Sequence, residues 1–170
     1  MGNFSKTNAS TSNGFTLPEA DFHEAIIGGL VDLGIVQTEY NGETKEQHKI
    51  VVLYYLETEI PDYEGKRYVQ SKTYTFSFSD KSNLFKDMNG AFGSDFMNNC
   101  EDLETDILGK HVRVLIDHAE KRDGSGAYAK IDGLRPSKTE SATMDGFELP
   151  KWIVDANERG EVDAISIFEG

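Results

Sequence analysis

Between residues 21 and 136 the hydrophobic positions recur mostly at every second residue, the period of strands rather than helices. Residues 23–39 (HEAIIGGLVDLGIVQTE) are an apolar run interrupted by Gly28, Gly29 and Gly34, which predicts a bent or bulged strand. Asn41-Gly42 predicts a tight turn. Residues 48–59, rich in Val, Ile, Leu and Tyr, predict a long second strand. Residues 67–78 alternate: Tyr74, Phe76 and Phe78 on one face, Ser71, Thr73, Thr75 and Ser77 on the other. The period then changes. Leu84, Phe85, Met88 and Phe92 form a helical stripe behind a cap at Ser79 or Asp80, with Gly90 and Gly93 available to end it. Residues 101–108 suggest a second short helix. Strand character returns at 111–118, where Val112, Val114 and Ile116 alternate with more polar positions. A turn at residues 123–126 and a last strand over 127–134 follow, stopped by Pro136.

Three strands, a helix and two strands are the order of an OB fold, a five-stranded barrel with its helix between strands 3 and 4. The expected class is therefore mainly β, with Phe76, Phe78, Val112, Val114 and Ile131 buried and Leu84, Phe85 and Met88 plugging one end. Other antiparallel barrels remain open on this pattern. Residues 1–20 are rich in Ser, Thr, Asn and Gly and are expected to be a flexible segment. The barrel domain is placed at 21–136, and a linker with an acidic C-terminal tail at 137–170. Within that tail, a helix around Pro150–Asn157 packed on the barrel is one expectation, and residues 158–170 are the better candidate for a mobile end.

Composition sharpens the class. The 170 residues carry 17 basic and 30 acidic side chains, a net charge of −13, with one cysteine. No apolar run approaches the ~20 residues needed to span a bilayer. The N-terminus lacks the basic-then-apolar order of a secretory signal, and Met1-Gly2 with Ser5 only loosely resembles an acylation start. A lone Cys100 fits a reducing cytosol. Neighbours Asn98, Asn99, Glu101 and Asp102 offer no positive charge to lower its pKa, so it reads as a buried or idle thiol. His23, His48, His111 and His118 have no metal-ligand spacing, and Glu57/Glu59 and Asp102/Glu104/Asp106 read as solvated charge. The expectation is no catalysis, no cofactor and no metal.

One signal is left. Single-stranded nucleic acid is bound by flat aromatics that stack on bases and cations near the phosphates. Tyr54 or Tyr55, Tyr68 beside Lys66 and Arg67, Lys72, Arg113, and Tyr128 beside Lys130 interleave these types along predicted strands. Tyr128 and Lys130 share a face by parity, opposite Ala127, Ala129 and Ile131. The acidic balance opposes nucleic-acid binding. However, residues 1–48 carry −5 and residues 139–170 carry −6, leaving the middle near neutral. The tail adds Trp152, Asp163 and Phe168 as a candidate hook for a partner protein.

The run SKTYTFSFSDKSNLFKDMNGAFG, the later LGKHVRVLIDHAEKRDGSGAYAKIDGLRP and the tail ELPKWI resemble a group of OB-fold single-stranded DNA-binding or replication proteins of tailed bacteriophages. The likeness spans roughly residues 23–154. It implies single-stranded DNA as the ligand, a role in viral replication, recombination or repair, and the cytoplasm of an infected bacterium as the place. It is compatible with a homo-oligomer and with replication or recombination proteins as further partners. The tail departs from the dense acidic run ending in Pro-Phe of bacterial single-strand binders, because Phe168 is followed by two more residues. A small-barrel module that binds a replication or host protein is the competing expectation.

Overall fold

The computed structural model describes residues 11–12 and 15–169. The expected mobility of the first ten residues, and the Met1-Gly2 start, lie outside the described residues. The elements in chain order are β1 (Thr11–Ser12), β2 (Phe15–Thr16), β3 (Phe22–Tyr40), β4 (Glu43–Glu59), β5 (Arg67–Thr75), α1 (Asn83–Phe92), α2 (Phe96–Asn99), α3 (Leu103–Ile107), β6 (His111–Glu120), β7 (Ala127–Pro136), α4 (Lys151–Glu158) and β8 (Ala164–Ile167). β1 and β2 pair as a short ribbon. The others form one six-stranded antiparallel sheet in the order β5-β4-β3-β6-β7, with β8 added to β3. The sheet is not closed. β5 and β7 approach each other without exchanging ladder bonds, so the expected closed five-stranded barrel is not what the described residues form. Bulky side chains, Tyr68 and Tyr128 among them, line the gap between the two strands.

β3 bends as its sequence suggests, with register shifts between Ile27 and Gly29 and between Asp32 and Gly34. Beyond Asp32 on β3 and Lys49 on β4, the two strands run on as an arm whose ladder is with itself, with the Phe76 amide donating to the His48 carbonyl at its root at 2.7 Å. Asn41-Gly42 turns its tip with φ of 54° and 80°, the positive values a two-residue hairpin turn requires.

The run Ile50–Leu56 on β4 is buried at every position, because both faces of the sheet are covered. Its even positions, Ile50, Val52, Tyr54 and Leu56, join Ala25, Ile27, Val112, Val114, Ile116, Ile131 and Leu134 in an inner core. Leu84, Met88, Met97, Leu103 and Ile107 from the three short helices close that core, and Phe85 packs at its edge. The odd positions, Val51, Leu53 and Tyr55, face outward and are covered by the chain after β7. That segment contributes Ala142, Met144, Phe147, Leu149, Ile153, Val162, Ile165 and Phe168.

Three local expectations change. Phe76 and Phe78 are 37% and 40% exposed rather than buried. Strand parity itself is as expected, since Tyr74 is buried. β5 ends at Thr75, where its last partner is Lys49. Past that point Ser77 and Ser79 bond to nearby backbone, with Ser79 N donating to Ser77 Oγ at 3.1 Å and Ser82 Oγ donating to the Ser77 carbonyl at 3.0 Å. The helix cap is Ser82 instead of Ser79 or Asp80: Ser82 is extended, and its Oγ accepts the Phe85 amide at 3.1 Å. Gly93 ends α1, but Gly90 does not. A Cβ at Gly90 would fall 2.8 Å from the Leu134 carbonyl oxygen, so the glycine lets α1 lie against β7.

The ends of the chain are packed more than their composition suggests. Leu17 and Pro18 are buried, and the His118 ring nitrogen Nε2 bonds the Pro18 carbonyl at 2.7 Å. α4 covers the outer face through Ile153, as the packed-helix expectation has it. Residues 158–170, expected to be loose, instead include β8, which pairs with Gly29–Asp32 of β3. Such a strand was hard to foresee from a four-residue segment with little alternation.

Candidate functional site

The groove between β5 and β7 is a cavity of about 760 Å³. β5 supplies Arg67, Tyr68, Val69 and Gln70 to it, and β7 supplies Tyr128 and Ala129. Thr16, Leu17 and Pro18 border it, and Pro150, Lys151, Trp152 and Asp155 at the start of α4 form a further wall. β5 pairs only with β4 among the described residues, so its backbone edge toward the groove is unpaired.

Alternation on β7 places Tyr128 outward, 42% exposed, while Ile131 points into the core. Trp152 is 45% exposed, because Ile153 takes the buried side of α4. Tyr68 is held more tightly. It is largely buried, and its hydroxyl donates to the Thr16 carbonyl. Burial pushes its phenol pKa up, so it stays a neutral donor.

The cations at this groove differ in what holds them. Lys151 pairs with Asp155 at 2.8 Å, one turn along α4. Lys66, just outside, pairs with Glu148 at 3.5 Å. Arg67 makes neutral contacts: it donates to Thr143 Oγ1 at 3.1 Å and lies 5.9 Å from the centre of the Tyr55 ring. A phosphate arriving at Arg67 displaces no carboxylate.

Several expected binding residues stand elsewhere. Tyr54 is wholly buried, its hydroxyl 2.8 Å from that of Tyr74, which donates to Asp87 Oδ2 at 2.7 Å. It cannot stack on a ligand, and burial pushes its pKa well above the usual phenol value. Lys72 ends the same network, bonded to Asp87 Oδ2 at 2.7 Å, and so is neutralised inside the fold. Tyr55 is buried under Phe147, whose ring meets it edge-on at 5.3 Å, and its hydroxyl donates to the Asp145 carbonyl at 2.6 Å. These three are corrections, and the cause is the same in each: parity places a side chain on a face but does not say whether that face is covered. Arg113 lies over the Phe22 ring at 4.9 Å and donates to the Pro136 carbonyl at 2.8 Å, away from the groove. Lys130 shares the outward face with Tyr128 and pairs with Asp132 at 3.3 Å.

The expected tail hook separates too. Trp152 joins the groove. Phe168 is docked against Gly109, where a Cβ would fall 2.5 Å from its ring and where φ is +85°. Asp163 sits against Gly34, with its amide bonded to the Asp32 carbonyl at 2.8 Å. Neither is a free hook for a partner. Lys151, Gln70 and Pro150 were missed. For Lys151 the signal was its place beside Trp152 in a helix that packs on the sheet.

Another cavity, about 490 Å³, is lined by Phe92, Phe96, Cys100, Asp95 and Asp106. Burial and the neighbouring Asp106 carboxylate push the Cys100 thiol up to about 11, so it is protonated and unreactive at neutral pH. Among the described residues no three His, Cys, Asp or Glu side chains come together as a metal site would require. No protein-family model matches the chain, and comparison with curated proteins finds no match.

Proposed function

We propose that this protein binds single-stranded DNA without catalysis, in the groove between β5 and β7. The observation that carries this reading is the meeting of three aromatic rings, Tyr68, Tyr128 and Trp152, with Arg67 and Lys151 in one groove. The rings come from two strands and a helix, β5, β7 and α4. Each exposed ring offers a face to a base, and such stacking contributes about 1–3 kcal/mol per base. Gln70 and the unpaired edge of β5 add hydrogen-bonding groups.

The architecture supports the same reading. The order β5-β4-β3-β6-β7 in an open antiparallel sheet, with the helices between β5 and β6, is compatible with the OB-like arrangement this reading requires. The phage-like motifs lie on β5, α1, β6, β7 and α4, and they point to replication, recombination or repair of phage DNA in an infected bacterium. No described helix is long and apolar enough to cross a membrane. The net charge of −13 predicts modest, salt-sensitive affinity.

Fluorescence polarisation with labelled oligo-dT tests the reading. Binding weakened by Tyr128→Ala and by Trp152→Ala supports it. Absence of binding at low salt overturns it in favour of a protein-interaction module. That second reading draws on the ladder of half-buried His48 and exposed Phe76 and Phe78, with ring centres 5.1 and 5.6 Å apart, none of which lines the groove.

A further inference from the structure

The β4–β5 loop and the chain after β7 enclose a second cavity of about 440 Å³, lined by Tyr55, Gly65, Lys66, Arg67, Gly146, Phe147 and Glu148 among others. It shares Ile60, Arg67 and Val69 with the groove already described, so the two are neighbours with Arg67 bordering both. Arg67 stands between the two, and Lys66 lines the second alone. One flat ring, Phe147, is half-buried beside it, and Gly65 and Gly146 face each other in its lining, with a Cβ at Gly146 falling 3.5 Å from the Gly65 carbonyl oxygen.

We propose that this cavity is a second nucleotide subsite, so that a bound single strand runs from Trp152 and Tyr128 past Arg67 to Lys66 and Phe147. The inference rests on the single-stranded DNA reading and extends it: the ligand is an oligonucleotide several units long, not a mononucleotide. Arg67 at the junction contacts the phosphate between the two subsites. Lys66 takes the next phosphate in place of Glu148. The two side chains of that pair are 57% and 79% exposed, and an exposed pair of this kind contributes little, so the exchange costs little. Phe147 offers the base a ring on the side not used by Tyr55. The C-terminal segment is then a wall of the binding site in both halves, through Phe147 in one and through Lys151 and Trp152 in the other.

The test is a polarisation series with oligo-dT lengthened one nucleotide at a time, on the full chain and on Lys66→Ala, Phe147→Leu and Tyr128→Ala. Tyr128→Ala is expected to weaken binding at every length. Lys66→Ala and Phe147→Leu are expected to leave the shortest binding oligonucleotide unchanged and to weaken longer ones about fivefold. Lys66→Ala is also expected to lower the salt slope by about 0.7, the value for one phosphate on a single strand. If both variants match the wild type at all lengths while Tyr128→Ala does not, the second subsite is wrong and the first groove stands. If both lose affinity equally at all lengths, the extension is also wrong. If the wild type binds no oligonucleotide, both readings fall together. Thermal melting of each variant accompanies the titrations. Lys66 is exposed, so its variant decides the matter even where Phe147→Leu loosens the fold.

Discussion

The two faces of the central sheet are built by different means. The inner face is filled from within residues 22–136: strands alternate into it, and α1, α2 and α3 close it with Leu84, Met88, Met97, Leu103 and Ile107. The outer face of β3 and β4 is just as apolar but is covered only by the segment after β7, which reaches across it with Ala142, Phe147, Ile153 and Phe168. The inner face carries a buried polar chain, Tyr54–Tyr74–Asp87–Lys72. The outer cover is pinned at its rim. Ser137 and the Lys138 amide donate to Glu24, the His111 ring bonds the Ala142 carbonyl at 2.8 Å, and Tyr55 donates to the Asp145 carbonyl. Both faces thus combine packing with polar contacts: those of the inner face join neighbouring strands to α1, and those of the outer face set where the returning chain lies.

Breaking the inner network is expected to have the largest effect. Asp87→Ala leaves the Lys72 ammonium without its carboxylate and the Tyr74 hydroxyl without its acceptor. Removing one partner of a buried pair costs about 3–5 kcal/mol. Urea denaturation should show a loss in that range, and a loss below about 1 kcal/mol would mean that the network is open to water. On the outer face, Ile153→Ala removes the one wholly buried side chain of α4 and should cost about 2–3 kcal/mol, the low part of the range for such truncations.

Truncation after Lys138 sharpens the comparison further. It uncovers Val31, Val51, Leu53 and Tyr55 while leaving the inner core untouched. The shortened protein should bind a hydrophobic dye and melt lower than the full chain. It also loses Lys151 and Trp152, so oligo-dT binding should weaken. Tighter binding by a folded truncated protein would show that the segment blocks the groove rather than lining it.

The two faces were unequally legible in the sequence. Alternation at Val112, Val114, Ile116 and Ile131 marked the inner face, because a strand with one covered side writes its burial in every second residue. The run Ile50–Leu56 has no such alternation, and the second covering layer it signals was read as a choice between Tyr54 and Tyr55 for the binding face. Both are buried, one under each layer. The groove was half legible. Tyr68 and Arg67 were singled out by residue type and adjacency, and Tyr128 also by parity; all three line the groove. Lys151, and the place of Trp152 beside Tyr128, depend on where the segment after β7 returns, a contact about 25 residues distant along the chain that no local period encodes. Phe76 and Phe78 continue the alternation past the end of β5, where the Phe76 amide still donates to His48 but the side chains have left the core. Phe76→Ala should therefore cost about 1 kcal/mol or less by thermal melting, not the ~3–5 kcal/mol of a buried phenylalanine.

The smallest effect expected is in the pH dependence of the outer cover, and it turns on Glu24. Burial on β3 pushes its carboxyl pKa up, but hydrogen bonds from the Ser137 hydroxyl, the Lys138 and Thr139 amides and the Thr139 hydroxyl outweigh it and hold the pKa below the ordinary glutamate value of 4.5. A carboxyl depressed in the folded state adds stability that is fully present above its unfolded pKa and is lost as pH falls through the folded one. The pin at the root of the C-terminal segment should therefore hold at neutral pH and weaken only below about pH 4.5, where the carboxyl begins to take up its proton. Glu24→Gln removes the charge at every pH. Its melting temperature should lie slightly below that of the wild type at pH 7, and the gap should narrow on acidification. Asp32 also has a depressed carboxyl, held down by the Gly34 amide and His48 against the opposing effect of burial. Its contribution persists in the variant, so the acid limb should be shallower but not flat. Amide exchange at residues 137–142 separates the two: it should quicken in Glu24→Gln at pH 7 while the amides of β4 stay protected. Equal quickening in β4 would show that the two faces open as one unit, and the distinction between them would fail.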